Sequence, residues 1–499
     1  MHKLVSYGMK VIFIAVLVIS TNPPSVFAGS QIPGLENLRA SPQVSESAQL
    51  IPADINDGDQ FGYAIAVSGD TLVVGSPGAD PHAQDSGAAY VYQRGLSSNA
   101  EWLEVARLTP ADPAIYDQFG WSVTIDGDTI AVSAFTKVPG GAAYIFTRDQ
   151  GGPNSWGQVK KVVGNDTNWG DGFGVDVDLH GDYLVVGKYA GGDYSGSIYI
   201  FERNFGGPDS WGQIANFTSS DVYPYDYFGY SVAIDENTII AGAPGKDGLT
   251  GAAYVFQPSG DGTDEWIEIA RLTASDAAMQ SYFGYDLDLS GDTAVIGAVG
   301  KKEFTGAAYV FERHLGGHDT WGESAILSQP KGVPGDRFGV AVSIDADKLI
   351  VGAYGDNEFT GSALVYFRSL TGLNLWEEHA QLFASDGAPE DGFGGSVCIG
   401  EQTAVTSATG YVPGGAAYVY TLENSPPQIT AVQLSANPVP EGTPLSLEAS
   451  VLDVDIDEAL TSLINWGDGC TETLSLEGGP VTYTLHTTHT YQQAQCSIQ

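Results

Sequence analysis

The pair Phe-Gly returns seven times in one setting: Phe61-Gly62, Phe119-Gly120, Phe173-Gly174, Phe228-Gly229, Phe283-Gly284, Phe338-Gly339 and Phe393-Gly394. The spacings are 58, 54, 55, 55, 55 and 55 residues. A period that regular across most of a 499-residue chain means one supersecondary unit repeated, so the fold question reduces to how seven copies close. It also implies that the recurrent residues are mostly architectural and that function lies where the copies differ.

One copy can be read in full. Residues 228–234 alternate as a strand, 235–238 form a turn, and 239–244 are a second strand of small apolar residues, buried on both faces. Residues 245–250 are a loop, 251–256 a third strand, 258–265 a polar connection, and 266–272 a fourth, alternating strand. Four antiparallel strands in about 55 residues make one propeller blade. Strand three recurs at 87–92, 141–146, 196–201, 306–311, 361–366 and 415–420, and Trp102, Trp156, Trp211, Trp266, Trp321 and Trp376 open strand four in six copies. The seventh copy stops after Tyr420 without a fourth strand. Residues 47–54 precede the first Phe-Gly as 106–112 precede the second, so the N-terminal strand is expected to complete the last blade and remove its open edge.

Phe-Gly followed by Gly-Ala-Pro resembles the FG-GAP repeat of integrin α subunits and of many exported bacterial proteins. The second element stands here as Gly75-Ser-Pro77, Gly242-Ala-Pro244, Gly297-Ala-Val299 and Gly352-Ala-Tyr354. The resemblance covers residues 46–422 and implies an all-β, seven-bladed propeller. For function it implies less, since the family includes adhesion proteins, polysaccharide-processing enzymes and phospholipase-associated propellers. Integrin-type repeats carry an acidic calcium loop of about nine residues between strands one and two. Here that connection is a tight turn, as in 68–71, 126–129, 180–183 and 290–293, with Gly-Asp supplying positive backbone angles. The family's calcium sites therefore do not carry over, and no metal or other cofactor is expected.

Asp59, Asp117, Asp171, Asp226, Asp336 and Asp391 each stand two places before the Phe, with Ser281 the exception, and are expected to hold turn amides. The Phe and Trp are read as packing between blades, and the small residues of strand two as permitting close approach near the propeller axis. Asp176, Asp178, Asp286 and Asp288 alternate on first strands and read as a solvated strand face.

The loops between strands two and three and the connections between blades lie on one face of a propeller, and they vary sharply. The candidate contact residues there are Tyr116, Tyr189, Asp193, Tyr194, Tyr223, Tyr225, Lys301, Phe304, Tyr354, Asp356 and Phe359. Exposed Tyr and Phe among Asp, Asn and Lys suit protein contacts or stacking on sugar rings. Lys246, Lys301 and Lys302 argue against a metal on that face. The eight histidines are scattered without metal-ligand spacing, and no nucleophile elbow or phosphate loop occurs, so no catalytic residue is assigned.

Lys+Arg is 20 and Asp+Glu 61, a net charge of −41 that repels nucleic acid and anionic membrane. Lys3, Lys10, the apolar run 11–19 and Val26-Phe27-Ala28 read as a secretory signal over 1–28, followed by a linker over 29–45. No other stretch is long enough to span a bilayer, so an exported, monomeric propeller without membrane insertion is expected, with an extracellular protein or glycan as partner. Beyond a linker at 423–428, residues 429–499 alternate as short strands. Asn465-Trp-Gly-Asp-Gly469 and His489-Thr-Tyr491 resemble motifs of the PKD family, an immunoglobulin-like sandwich, which implies a module cut short at Gln499. Cys398 is expected to be a buried thiol, whereas export permits a bond between Cys470 and Cys496. The binding reading has one rival, a carbohydrate-active protein that binds or cleaves polysaccharide on the same loop face.

Overall fold

The computed structural model describes residues 44–422 apart from 96–100, 153–154, 261–264, 316, 318–319 and 370–375, together with strands at 11–15, 428–434, 444–452, 461–465, 471–475, 477–478 and 482–490. The chain divides into two units, one of which is Val44–Leu422.

That unit is a seven-bladed propeller of four-stranded antiparallel blades. Blade one runs through Ile65–Ser68, Thr71–Ser76, Ala88–Arg94 and Trp102–Leu108, and the next five repeat its order. Blade seven takes Phe393–Gly400, Thr403–Ala408 and Ala416–Thr421 from the C-terminal side, and Ser45–Leu50 pairs antiparallel with the last of these as its outer strand. The closure expected from the sequence is therefore present. Glu46 adds to it by accepting from the Ser385 backbone N–H at 3.0 Å and from its hydroxyl at 3.1 Å, on the interblade loop before blade seven.

Local sequence explains each element. Second strands such as Thr238–Ala243 are buried along their whole length, as their small apolar residues require. Fourth strands such as Trp266–Leu272 alternate between exposed and half-buried positions, as an outer edge does. Strands one and two join through two-residue turns, for example Ser68 opposite Thr71, and Gly69, Gly127, Gly181 and Gly291 occupy the first turn position at φ 54–57°. Only that first position is left-handed. The Asp after it is not, contrary to the reading that Gly-Asp together supplied positive angles.

The repeat's name-giving glycines meet across blade boundaries. A Cβ on Gly242 would collide with the carbonyl oxygen of Gly284, the Phe-Gly glycine of the next blade. Strand two is small for this reason and not because it lies at the axis: the axial cavity is lined by first-strand residues of all seven blades. The seven Phe rings are 0–1 % exposed, and six of them pack edge-on against strand-three aromatics, as Phe228 does on Tyr254 at 5.6 Å; at Phe338 the equivalent of Tyr254 is Leu364. Core clusters combine residues of consecutive blades, such as Val185 and Ile198 with Phe228 and Ile239. Each of the six Asp residues before the Phe accepts from the backbone N–H three residues earlier, at 2.6–2.8 Å, as expected. Cys398 is buried and unbonded, and burial pushes its thiol pKa up.

In the other unit, Val11–Ala15, Thr461–Asn465 and Thr471–Ser475 form one sheet, and Gln428–Leu434, Pro444–Leu452, Thr482–Thr490 and Glu477–Gly478 form another. Val11–Ala15 falls inside the stretch read as a signal, so in a processed chain the first sheet would hold two strands. Cys470, Cys496, the motif residues 466–469 and Tyr491 lie outside the described residues. Among the described residues no helix is long and apolar enough to cross a membrane.

Candidate ligand-binding face

The loops between strands two and three are bonded directly to the connection entering the next blade. Tyr116 donates its N–H to the Gln84 carbonyl, Tyr225 to Asp193, Tyr227 to Tyr194, and Arg337 to Phe304. The two sets of loops thus form one continuous face, as the sequence implied.

Most of the predicted residues fall into two aromatic groups on it. Between blades three and four, Tyr194 stacks on Tyr225 at 5.8 Å and an interplanar angle of 12°, and Tyr189 and Tyr227 pack beside them. Tyr225 is 60 % and Tyr223 69 % exposed. Asp193 lies at the edge of this group, where hydrogen bonds from Ser195 hold its carboxyl below the usual range. Between blades five and six, Phe304, Tyr354 and Phe359 surround the guanidinium of Arg337 at 5.8, 4.9 and 5.5 Å. Tyr116 stands apart from both groups, half-exposed, with its backbone in the left-handed region.

Two predicted contact residues are instead tied into the framework of the loops, Lys301 buried and Asp356 half-buried. Lys301 is 6 % exposed, and its ammonium is held by Asp276 and the Tyr309 hydroxyl. It belongs to a set: Lys137 pairs with Asp117 at 2.6 Å, Lys188 with Asp171 at 3.6 Å and Lys246 with Asp226 at 3.0 Å. Lys137, Lys188 and Lys246 neutralise the acids that anchor the interblade turns, while in blade five, where that acid is Ser281, Lys301 pairs with Asp276; breaking such a buried pair typically costs about 3–5 kcal/mol. Asp356 occupies the Lys301 position in blade six and accepts from Gln329 and Ser362, each at 2.7 Å. Charge at this loop position is therefore structural.

The sequence reading missed Arg337 and Trp169. The signal for Arg337 was a column comparison: the residue before each Phe is Gln60, Gln118, Gly172, Tyr227, Tyr282, Arg337 and Gly392. Trp169 is 81 % exposed and is the only Trp of its kind at that loop position, outside the strand-four series.

The paired carboxylates also differ from expectation. Asp176, Asp178, Asp286 and Asp288 are not on a solvated outer face but in the axial cavity, of about 620 Å³. Asp178 accepts from its neighbour Leu179 N–H at 2.8 Å, from the Thr124 hydroxyl of blade two at 2.9 Å and from Ile234 N–H of blade four at 2.8 Å. Asp176 likewise takes Ser122 and Val232, Asp286 takes Val342, and Asp288 takes Ile344. Each carboxyl ties its own blade to its neighbours. Burial, with the facing Asp288, pushes Asp178 up to about 8, and burial, with the facing Asp176, pushes Asp286 up to about 8. Burial pushes Asp288 up to about 6 and raises Asp176. With their oxygens committed to the blades, these groups are ring fasteners. Among the described residues no cluster of three or more His, Cys, Asp or Glu is placed to hold a metal ion.

Seven blades, a terminal strand that closes the ring and one aromatic-rich loop face define a β-propeller whose variation is concentrated on a single surface. The FG-GAP repeat model matches residues 44–92, 102–146, 156–201, 211–256, 266–311, 321–366 and 376–420, and the chain belongs to that family. Human integrin alpha-D is 26 % identical over 243 residues, covering 43 % of this chain and 19 % of that protein. Human integrin alpha-X is 24 % identical over 261 residues, covering 46 % of this chain and 21 % of that protein. The chain thus spans about a fifth of the length of these relatives.

Proposed function

We propose that the chain is an exported, non-enzymatic binding or adhesion scaffold that engages an extracellular protein or glycan through its loop face. The observation that carries this is the distribution of aromatics. The Phe of every Phe-Gly pair is buried, whereas Tyr116, Trp169, Tyr194, Tyr223, Tyr225, Phe304 and Phe359, which vary between copies, are 40–81 % exposed on one face. Exposed aromatics beside polar residues are the usual anchors of recognition surfaces. The integrin α chains to which it is similar support the same reading. In this view residues 1–28 are a removed signal, so the secreted protein would begin at Gly29, and 429–499 form a PKD-like spacer.

The test is capture of ligands from extracellular material by the full chain, compared with a Tyr223→Ser/Tyr225→Ser variant and with Leu103→Ser/Ile267→Ser on the outer strands. Ligand lost only by the first variant supports the loop face. Ligand lost only by the second overturns it. Polysaccharide cleavage on the same face is the alternative, and reducing-end release by the wild-type chain would establish it in place of pure binding.

A further inference from the structure

On the loop face, two of the clefts between consecutive blades are filled by the chain itself, and one stands open for a visible reason. Between blades five and six the filling group is Arg337 on Phe304, Tyr354 and Phe359. Between three and four it is Tyr227 against Tyr189 and Tyr194. Between blades two and three the position of Tyr227, Tyr282 and Arg337 is Gly172. The position two before the glycine that opens strand three, which is Tyr194, Leu249, Phe304 and Phe359 in blades three to six, is Pro139 here; blade seven has Pro413 and blade one Asp85, but neither is followed by a Gly at the position of Gly172. Two large side chains are thereby absent, and a cleft of about 350 Å³ stands open there. Its walls are Phe135, Tyr189 and the exposed Trp169. That volume lies within the range of small-ligand sites, about 300–1,000 Å³.

The surrounding charge selects the occupant. Lys137 forms part of the lining, and its ammonium is consumed by Asp117 at 2.6 Å; Asp171 is faced by Lys188 at 3.6 Å. The carboxylates nearest the cleft are thus already neutralised, and a cation would meet an ammonium in place of a free acid. The aromatic walls call for a ligand with a flat apolar face. Gly140, Gly141, Gly170 and Gly172 carry no side chains on the lining and let a flat ring approach the main chain closely, while the Gly141 and Gly170 N–H groups and the Gly140 and Gly172 carbonyls are bonded within the chain. A neutral pyranose ring combines these properties.

We propose that this cleft is a glycan subsite that takes one neutral sugar ring, stacked between Trp169 and Tyr189. The proposal rests on the reading of the loop face as a binding face and deepens it.

Gly172→Tyr provides a test built from the protein's own design. Gly172 has φ +69°, and the equivalent Tyr227 and Tyr282 adopt +55° and +54°, so the backbone accepts the side chain, which would fill the cleft once Tyr189 swings aside. The full chain, Gly172→Tyr, the exposed-site variant Trp169→Ala and a Leu103→Ala control on an outer strand would be applied to an array of neutral β-glucan, mannan, xylan and galactan oligosaccharides, with affinities then measured by titration calorimetry. At least one oligosaccharide is expected to bind, with affinity reduced tenfold or more in both cleft variants and unchanged in Leu103→Ala, and with melting temperatures matched throughout. Unchanged binding in both cleft variants would overturn the subsite and leave the binding face standing. No neutral glycan bound by the wild-type chain, with a protein ligand captured instead, would also overturn it. Preferential loss of a cationic peptide, oligo-arginine, in the cleft variants would overturn the neutral-sugar assignment.

Discussion

The channel carboxyls make stability depend on pH in an unusual direction, and Asp178 is the place to measure it. Its folded pKa is about 8, pushed up by burial and then by Asp288, against an ordinary 3.8. Between about pH 4 and pH 8 the folded protein therefore holds a proton that the unfolded chain releases. By linkage, the stability this group contributes is complete below pH 4 and is lost as pH rises through 8. At about 1.4 kcal/mol per pH unit the ceiling is about 6 kcal/mol, and water in the open channel reduces it to about 2–3 kcal/mol. In the protonated form the Thr124 hydroxyl, 2.9 Å away, can accept where it otherwise donates. Asp178→Asn removes the charge and keeps one acceptor, but turns an amide NH2 toward a main-chain N–H that the carboxyl had accepted. The cost is about 1–3 kcal/mol for an unsatisfied buried donor. The variant should thus be less stable than wild type at pH 5 and equal to it or more stable at pH 9. Guanidinium unfolding at the two pH values reads this as a change in the difference between the proteins, in which the self-repulsion of a −41 chain largely cancels. A difference of the same size and sign at pH 5 and pH 9 would refute the reasoning, since it would mean that Asp178 keeps one protonation state at both.

Other outcomes follow from the architecture. Deleting 29–52 removes Ser45–Leu50, exposes the edge of Ala416–Thr421 and should abolish soluble monomeric folding, which size-exclusion chromatography and circular dichroism would show. Ala346 and Glu236 occupy, at φ 52° and 48°, the turn position held by glycine in four other blades. Ala346→Gly and Glu236→Gly should each raise stability by about 1 kcal/mol, measurable as a higher melting temperature. Two-residue turns leave no oxygen cage between strands one and two, so chelator should shift the propeller's melting temperature by no more than about 1 °C; a large drop would reveal a cation site elsewhere in the blades.

The period of the Phe-Gly pairs determined the blade count, the strand order within a blade and closure by the N-terminal strand. These follow from local signals, namely turn residues, alternation and a copy that lacks its last strand, which survive translation into any register of the ring. The role of Asp117 and its equivalents was legible for the same reason, because a carboxylate capping an amide three residues back is a local bond. What lay beyond the sequence were contacts between blades. Asp176 and Asp178 alternate just as a solvated strand would, and only ring closure turns that face inward, where Ser122, Thr124, Val232 and Ile234 arrive from two other blades. Lys301 sits on a loop as predicted, but Asp276 and Tyr309 draw its long side chain inside. Gly172 and Pro139 read in the chain as ordinary loop residues. They acquire meaning only where the structure sets them beside Tyr227, Arg337 and Phe359 in equivalent clefts, because a cavity is defined by the side chains that neighbouring segments fail to supply.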